Sequence, residues 1–87
     1  MKSYMNTPDG PNYLPVTAIV DGVMYQVEAT VTEHGLAEHY DGVWDIHYDP
    51  EFTFEGYDYE GNQLTFSAKE IINMTNEATD TYWSLAR

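Results

Sequence analysis

The chain reads as an α+β domain: an antiparallel meander sheet of about five strands with a C-terminal helix packed on one face. Three observations predict this. Val23 to Thr32 alternates apolar and polar residues with a period of two, the pattern of a half-buried strand. Asp21-Gly22, just before it, is a two-residue hairpin signal, because a type I′ turn needs positive φ at both positions. Ser67-Ala68-Lys69-Glu70 is a capping box, and apolar residues recur after it at helical spacing.

Residues 1–12 carry Pro8, Asp9-Gly10 and Pro11 and are expected to be an irregular lead-in to a single domain over residues 13–87. The first strand runs over Leu14 to Val20, with Val16, Ala18 and Val20 on one face. In the second, Val23, Tyr25, Val27, Ala29 and Val31 oppose Met24, Gln26, Glu28, Thr30 and Thr32. Glu33 to Gly42 has mixed polarity and reads as a loop. Alternation resumes over Val43 to Tyr48, with Trp44, Ile46 and Tyr48 opposite Asp45 and His47. Asp49-Pro50 makes a turn. Phe52 and Phe54 then point inward, against Glu51, Thr53 and Glu55. The aromatics change phase at Tyr57 and Tyr59, which suggests a bulge at Gly56. Glu60-Gly61-Asn62 turns the chain, and Leu64 and Phe66 define a short last strand. The helix follows through Ile71, Met74, Thr75, Ala78, Tyr82 and Leu85. Its centre, Thr75 to Asp80, is weak in helix propensity, so a break into two pieces is expected there.

Charge sets the functional expectation. The 87 residues include 15 acids and 3 bases, a formal net charge of -12. No Lys or Arg stands between Lys2 and Lys69, while twelve carboxylates do. Low hydrophobicity with high charge is the signature of disorder, but 43% hydrophobic and 15% aromatic residues supply a core. Cysteine is absent, which removes disulfides and thiolate metal sites. Direct binding to DNA or RNA needs basic groups this chain lacks, and anionic membranes would repel it. No apolar run approaches the ~20 residues of a membrane helix, and Met1-Lys2-Ser3-Tyr4 shows no secretory pattern. A cytoplasmic protein is expected.

The densest acidic stretch holds Glu38, Asp41, Asp45, Asp49, Glu51, Glu55, Asp58 and Glu60, with Tyr40, Tyr57 and Tyr59 in or beside it. These eleven residues form the expected partner-binding surface. Asp45 is expected on the outer face of a strand paired with the one that carries Glu51 and Glu55. Like charges on paired strands repel, and no lysine is placed to relieve them. Such a surface can imitate a nucleic-acid backbone and occupy the groove of a basic protein, with salt-sensitive association. The plainer reading is a solvated surface that keeps the protein soluble. Tyr25, Trp44, Tyr48, Phe52, Phe54 and Phe66 are expected in the core, whereas Tyr40, Tyr57 and Tyr59 are available to contact arginines. His34, His39 and His47, with Glu38 and Asp45, lack the tight spacing of a structural zinc site. No EF-hand loop, phosphate loop, nucleophile elbow or HExxH motif is present. Neither metal, cofactor nor catalysis is expected.

Tyr25-Gln26-Val27-Glu28-Ala29-Thr30-Val31, then Phe52-Thr53-Phe54-Glu55-Gly56, a Gly61-Asn62 turn and a capped helix span Met24 to Ile72. With its size and charge, this segment resembles small acidic proteins of bacteriophages and mobile elements, the class that includes anti-restriction, anti-CRISPR and uracil-glycosylase inhibitors. The resemblance implies a non-enzymatic inhibitor, acting in the host cytoplasm as a monomer or small homo-oligomer. Its partner would be a basic nucleic-acid-binding protein: a nuclease, a polymerase, or a CRISPR or restriction effector. A second expectation is a structural or assembly module of a phage or mobile element that self-associates through its sheet.

Overall fold

Two Asp-Gly turns organise the strands. Asp21 and Gly22 have φ of 51° and 78°, and Asp41 and Gly42 have φ of 50° and 80°, the paired positive values of tight hairpins. In a computed structural model, which describes residues 3–6 and 11–85, the first turn joins strand β2 (Tyr13–Val20) to β3 (Val23–Glu33). The second joins β4 (Leu36–Tyr40) to β5 (Val43–Tyr48). Strands β1 (Ser3–Asn6) and β6 (Glu51–Glu55) each add to one hairpin. The result is two three-stranded antiparallel sheets, ordered β2-β3-β6 and β1-β4-β5, and one helix, α1 (Ala68–Leu85). The α+β class, the antiparallel strands and the packed C-terminal helix are as the sequence predicts.

Helix and sheet meet through a mixture of large and small apolar residues. β2 contributes Leu14, Val16 and Ala18, and β3 contributes Val27 and Ala29, all buried. Met74, Ala78 and Tyr82 oppose them from α1, spaced four apart on one helical face. Burying these side chains is the main favourable term in folding. The capping box forms: Ser67 N–H donates to Glu70 Oε1 (2.8 Å), and Glu70 N–H to Ser67 Oγ (3.2 Å). The helix edge also protects the sheet. β2 is an edge strand whose Pro15 has no N–H to offer, and Thr17 N–H donates to Glu77 of α1 (3.2 Å).

The two sheets join at the C-terminal end of α1. Tyr82 is fully buried, and its hydroxyl lies 2.8 Å from His34 Nδ1 and accepts from Gly35 N–H at 3.3 Å. His34 Nε2 lies 3.2 Å from Asn12 Oδ1. One tautomer satisfies all three contacts: Tyr82 donates to Nδ1, and Nε2–H donates to Asn12. Trp83 Nε1–H donates to Asp49 Oδ1 (2.9 Å) on the other connection between the sheets. Gly35 is required for close approach, since a Cβ there would lie 2.7 Å from Trp83 Cζ2 and 2.9 Å from the Tyr48 carbonyl oxygen.

Several expectations are corrected. The strands divide between two sheets because β5 turns back on β4 and not forward onto β6. Leu36–Tyr40, within the expected loop, is a strand, and Ser3–Asn6 of the expected irregular lead-in pairs with it. The expected turn at Pro8, Asp9 and Gly10 lies outside the described residues. Gly56 is not a bulge: β6 ends at Glu55, and buried Gly56 lets Val27 approach, with Cγ2 3.0 Å from where a Cβ would stand. Leu64 and Phe66 are half-buried but form no strand; one bridge, Tyr57 to Gln63, marks that passage. The helix runs unbroken, because buried Met74, Ala78 and Tyr82 outweigh the weak propensity of Thr75 to Asp80. Tyr48 is 53% exposed and outside the core, since among the described residues no element covers that face of β5. Among the described residues, no helix is long and apolar enough to cross a membrane.

Candidate protein-binding face

Strand register, more than sequence proximity, decides which carboxylates meet. β3 and β6 pair Glu28 with Glu55 and Glu33 with Glu51, and Thr30 faces Thr53 between them. A register shift between Val31 and Glu33 returns Glu33 to the outer side. Phe52 and Phe54 point to the core, so Glu51, Thr53 and Glu55 point away from it. Four exposed glutamates therefore form two directly opposed pairs on the face turned away from α1.

A third acidic pair, Glu38 opposite Asp45, lies on β4 and β5. The expected grouping of Asp45 with Glu51 and Glu55 across one hairpin is thus corrected: they occupy different sheets. Glu38 Oε2 lies 3.4 Å from His47 Nε2. Ligand atoms of Glu38, Asp45 and His47 fall within 4.8 Å of one another, the described group whose spacing would let it share a cation. The set offers one imidazole and two carboxylates on an open ribbon, fewer ligands than a four-coordinate structural site requires.

The other expected site residues serve turns and braces as well as charge. Asp41 takes the positive-φ position of the β4–β5 turn, and Asp49 anchors the Trp83 indole. Asp58 accepts from the backbone N–H groups of Glu60 and Asn62 (both 2.9 Å). The Asn62 N–H above all holds the Asp58 carboxyl below its ordinary range. Glu60 is exposed in the same turn. Tyr40 lies in β4, and its side chain is outside the described residues.

Tyr57 donates to the Glu55 carboxylate. That bond, and next the carboxylate's charge, raise the pKa of the phenol. Tyr59 donates to the Met24 carbonyl oxygen (3.0 Å) and its ring lies 5.1 Å from that of Tyr25. Partial burial, then the charge of Asp58, raise the Tyr25 pKa.

Glu28 and Glu33 complete the acidic face, and sequence reasoning did not include them. The period of two already placed Glu28 on the outer face of its strand; what it lacked was the identity of the partner strand. Tyr13 was missed as well. It is 64% exposed on β2 and lines, with Pro15, Gln26, Glu28, Glu55 and Tyr57, a groove of about 610 Å³ on the same face. Comparison with protein-family models gives no match, and comparisons with curated proteins and with solved structures give none either.

Proposed function

We propose that the protein is a non-enzymatic inhibitor that binds a basic nucleic-acid-binding protein through the outer face of β3 and β6. The observation that supports this is the pairing of Glu28 with Glu55 and Glu33 with Glu51, with no described Lys or Arg in an ion pair with them. Opposed like charges on a sheet cost stability, and a lysine in either pair would remove the cost. Glu51 and Glu55 stand four residues apart, roughly 13–14 Å at ~3.4 Å per residue. Each end of that span carries two carboxylates, so the face averages roughly one charge per 7 Å, about half the density of one nucleic-acid strand at ~3.4 Å per charge. A groove built to neutralise phosphates would meet two closely paired negative points here. The phage-type character rests on the resemblance of size, charge and segment order.

The test is capture of basic nucleic-acid-binding proteins from a bacterial lysate, at low and high salt, with duplex DNA as competitor. The wild type should capture a partner that both salt and DNA displace. A variant with Glu28, Glu33, Glu51 and Glu55 all changed to Gln should capture none. Undiminished capture by that variant would overturn the reading.

A second reading, self-association as an assembly module, is favoured by β5, where Val43, Ile46 and Tyr48 are all exposed on an edge strand. A large oligomer by light scattering, unchanged by salt, would support it over the first.

A further inference from the structure

We propose that the groove between Tyr13 and Tyr57 is a receptor for one arginine side chain of the basic partner. The inference rests on the functional reading above and specifies its anchor. Three residues form a row across the sheet: Pro15 of β2 lies opposite Glu28 of β3, which lies opposite Glu55 of β6. Tyr13 stands beside the row on the β2 side, next to Thr30, and Tyr57 follows Glu55 on the other. Both rings are more than half exposed and line the same groove. The groove, about 610 Å³ and open to solvent, has room for a guanidinium and part of its stem.

Each wall matches a part of arginine. Two carboxylates directly opposite each other accept from a planar guanidinium, whose N–H groups fan out in one plane. The Tyr57 hydroxyl holds one of them, Glu55, in place, so less order has to be imposed on binding. Tyr13 and Tyr57 line the groove and are exposed, so a guanidinium bound there can pack on an aromatic ring, and Pro15 offers apolar surface to the methylene stem. A lysine ammonium would gain the charge but neither the planar fork nor the stacking. A bare divalent cation would use only the carboxylates. The groove therefore selects arginine over lysine, which a uniformly acidic surface would not do.

Two fluorescent peptides separate these cases: four arginines spaced by Gly-Ser, and the same peptide with four lysines. The wild-type protein should bind the arginine peptide about tenfold more tightly. Amide shifts in NMR titration should centre on Gln26, Glu28, Glu55 and Tyr57. Tyr13→Ala and Tyr57→Ala should each weaken arginine-peptide binding more than lysine-peptide binding, whereas Tyr57→Phe, which keeps the ring and frees Glu55, should weaken both alike. Thermal unfolding of each variant verifies that the fold persists. Equal binding of both peptides, lost in the four-glutamine variant, would overturn the arginine receptor and leave the acidic-face reading standing. Failure of both peptides to bind would overturn both. Displacement of the arginine peptide by millimolar Ca²⁺ at constant ionic strength would assign the groove to a cation instead.

Discussion

The two sheets share strand count, antiparallel pairing and Asp-Gly hairpins, yet among the described residues one is covered and the other is not. The β2-β3-β6 sheet lies under α1 and buries Leu14, Val16, Ala18, Val27 and Ala29. The β1-β4-β5 sheet buries Ala37 and half-buries Trp44, and leaves Val43, Ile46 and Tyr48 exposed among its described side chains. It extends the molecule, whose principal extents are 54 × 19 × 16 Å. The radius of gyration is 15.0 Å, against about 12 Å for a compact domain of this length. Alternation in sequence therefore marks a strand but does not tell whether anything covers it. Both sheets nevertheless carry opposed acidic pairs, so the charge pattern is independent of packing. That independence fits a role outside folding.

The contrast can be broken at the joint. Tyr82→Ala should cost about 3–5 kcal/mol, the range for deleting a buried aromatic ring, and Tyr82→Phe about 1–3 kcal/mol through the hydroxyl that His34 and Gly35 share. Urea denaturation measures both. Next in size, Gly35→Ala forces a methyl against the Trp83 ring and the Tyr48 carbonyl and should cost about 1–3 kcal/mol. Amide exchange should show β4 and β5 loosening before β2 and β3.

Changes in the uncovered sheet should do far less. Ile46→Lys or Tyr48→Lys should shift stability by no more than about 0.5 kcal/mol. A loss of several times that would mean β5 is covered in solution, as self-association requires; light scattering of the wild type would then show the oligomer.

Acid sharpens the same comparison, since the covered sheet depends on the cap of α1. The Ser67 N–H, and next its hydroxyl, hold the Glu70 carboxyl below its ordinary value. A depressed carboxyl contributes stability that is present above its unfolded value, ~4.3. The contribution is lost as pH falls through the lower folded value. Glu70→Gln should therefore be less stable than wild type at pH 7, and the two should converge as pH drops below 4. A constant difference across the range would remove the cap from the account.

Much of this was legible beforehand. Asp21-Gly22 located the first hairpin, Ser67 to Glu70 started the helix, and the Glu51/Glu55 side of β6 was readable from Phe52 and Phe54. Pairing was not legible, because alternation gives each strand two faces without naming its neighbour. Asp41-Gly42 carried the same turn signal as Asp21-Gly22, but Glu33 to Gly42 holds two His, two Glu and two Gly, which masked the short strand. Trp83 and Gly35 meet across 48 residues, a contact no local pattern encodes. Glu51 and Glu55 thus face outward on β6 as read, but the strand beside it is β3 and not the one that carries Asp45.

On the proposed function, the glutamate pairs trade stability for binding. Glu28→Lys with Glu51→Lys places one lysine in each pair, and Glu60→Lys with Asp80→Lys makes the same change in net charge at exposed positions outside them. Urea denaturation and arginine-peptide affinity of the two double variants measure the claim directly. The account predicts that the first is more stable than the wild type by about 0.4–2 kcal/mol, from ~0.2–1 kcal/mol per pair, and loses binding, while the second keeps most of it. Equal binding by both variants, or no gain in stability from pairing the charges, would contradict it.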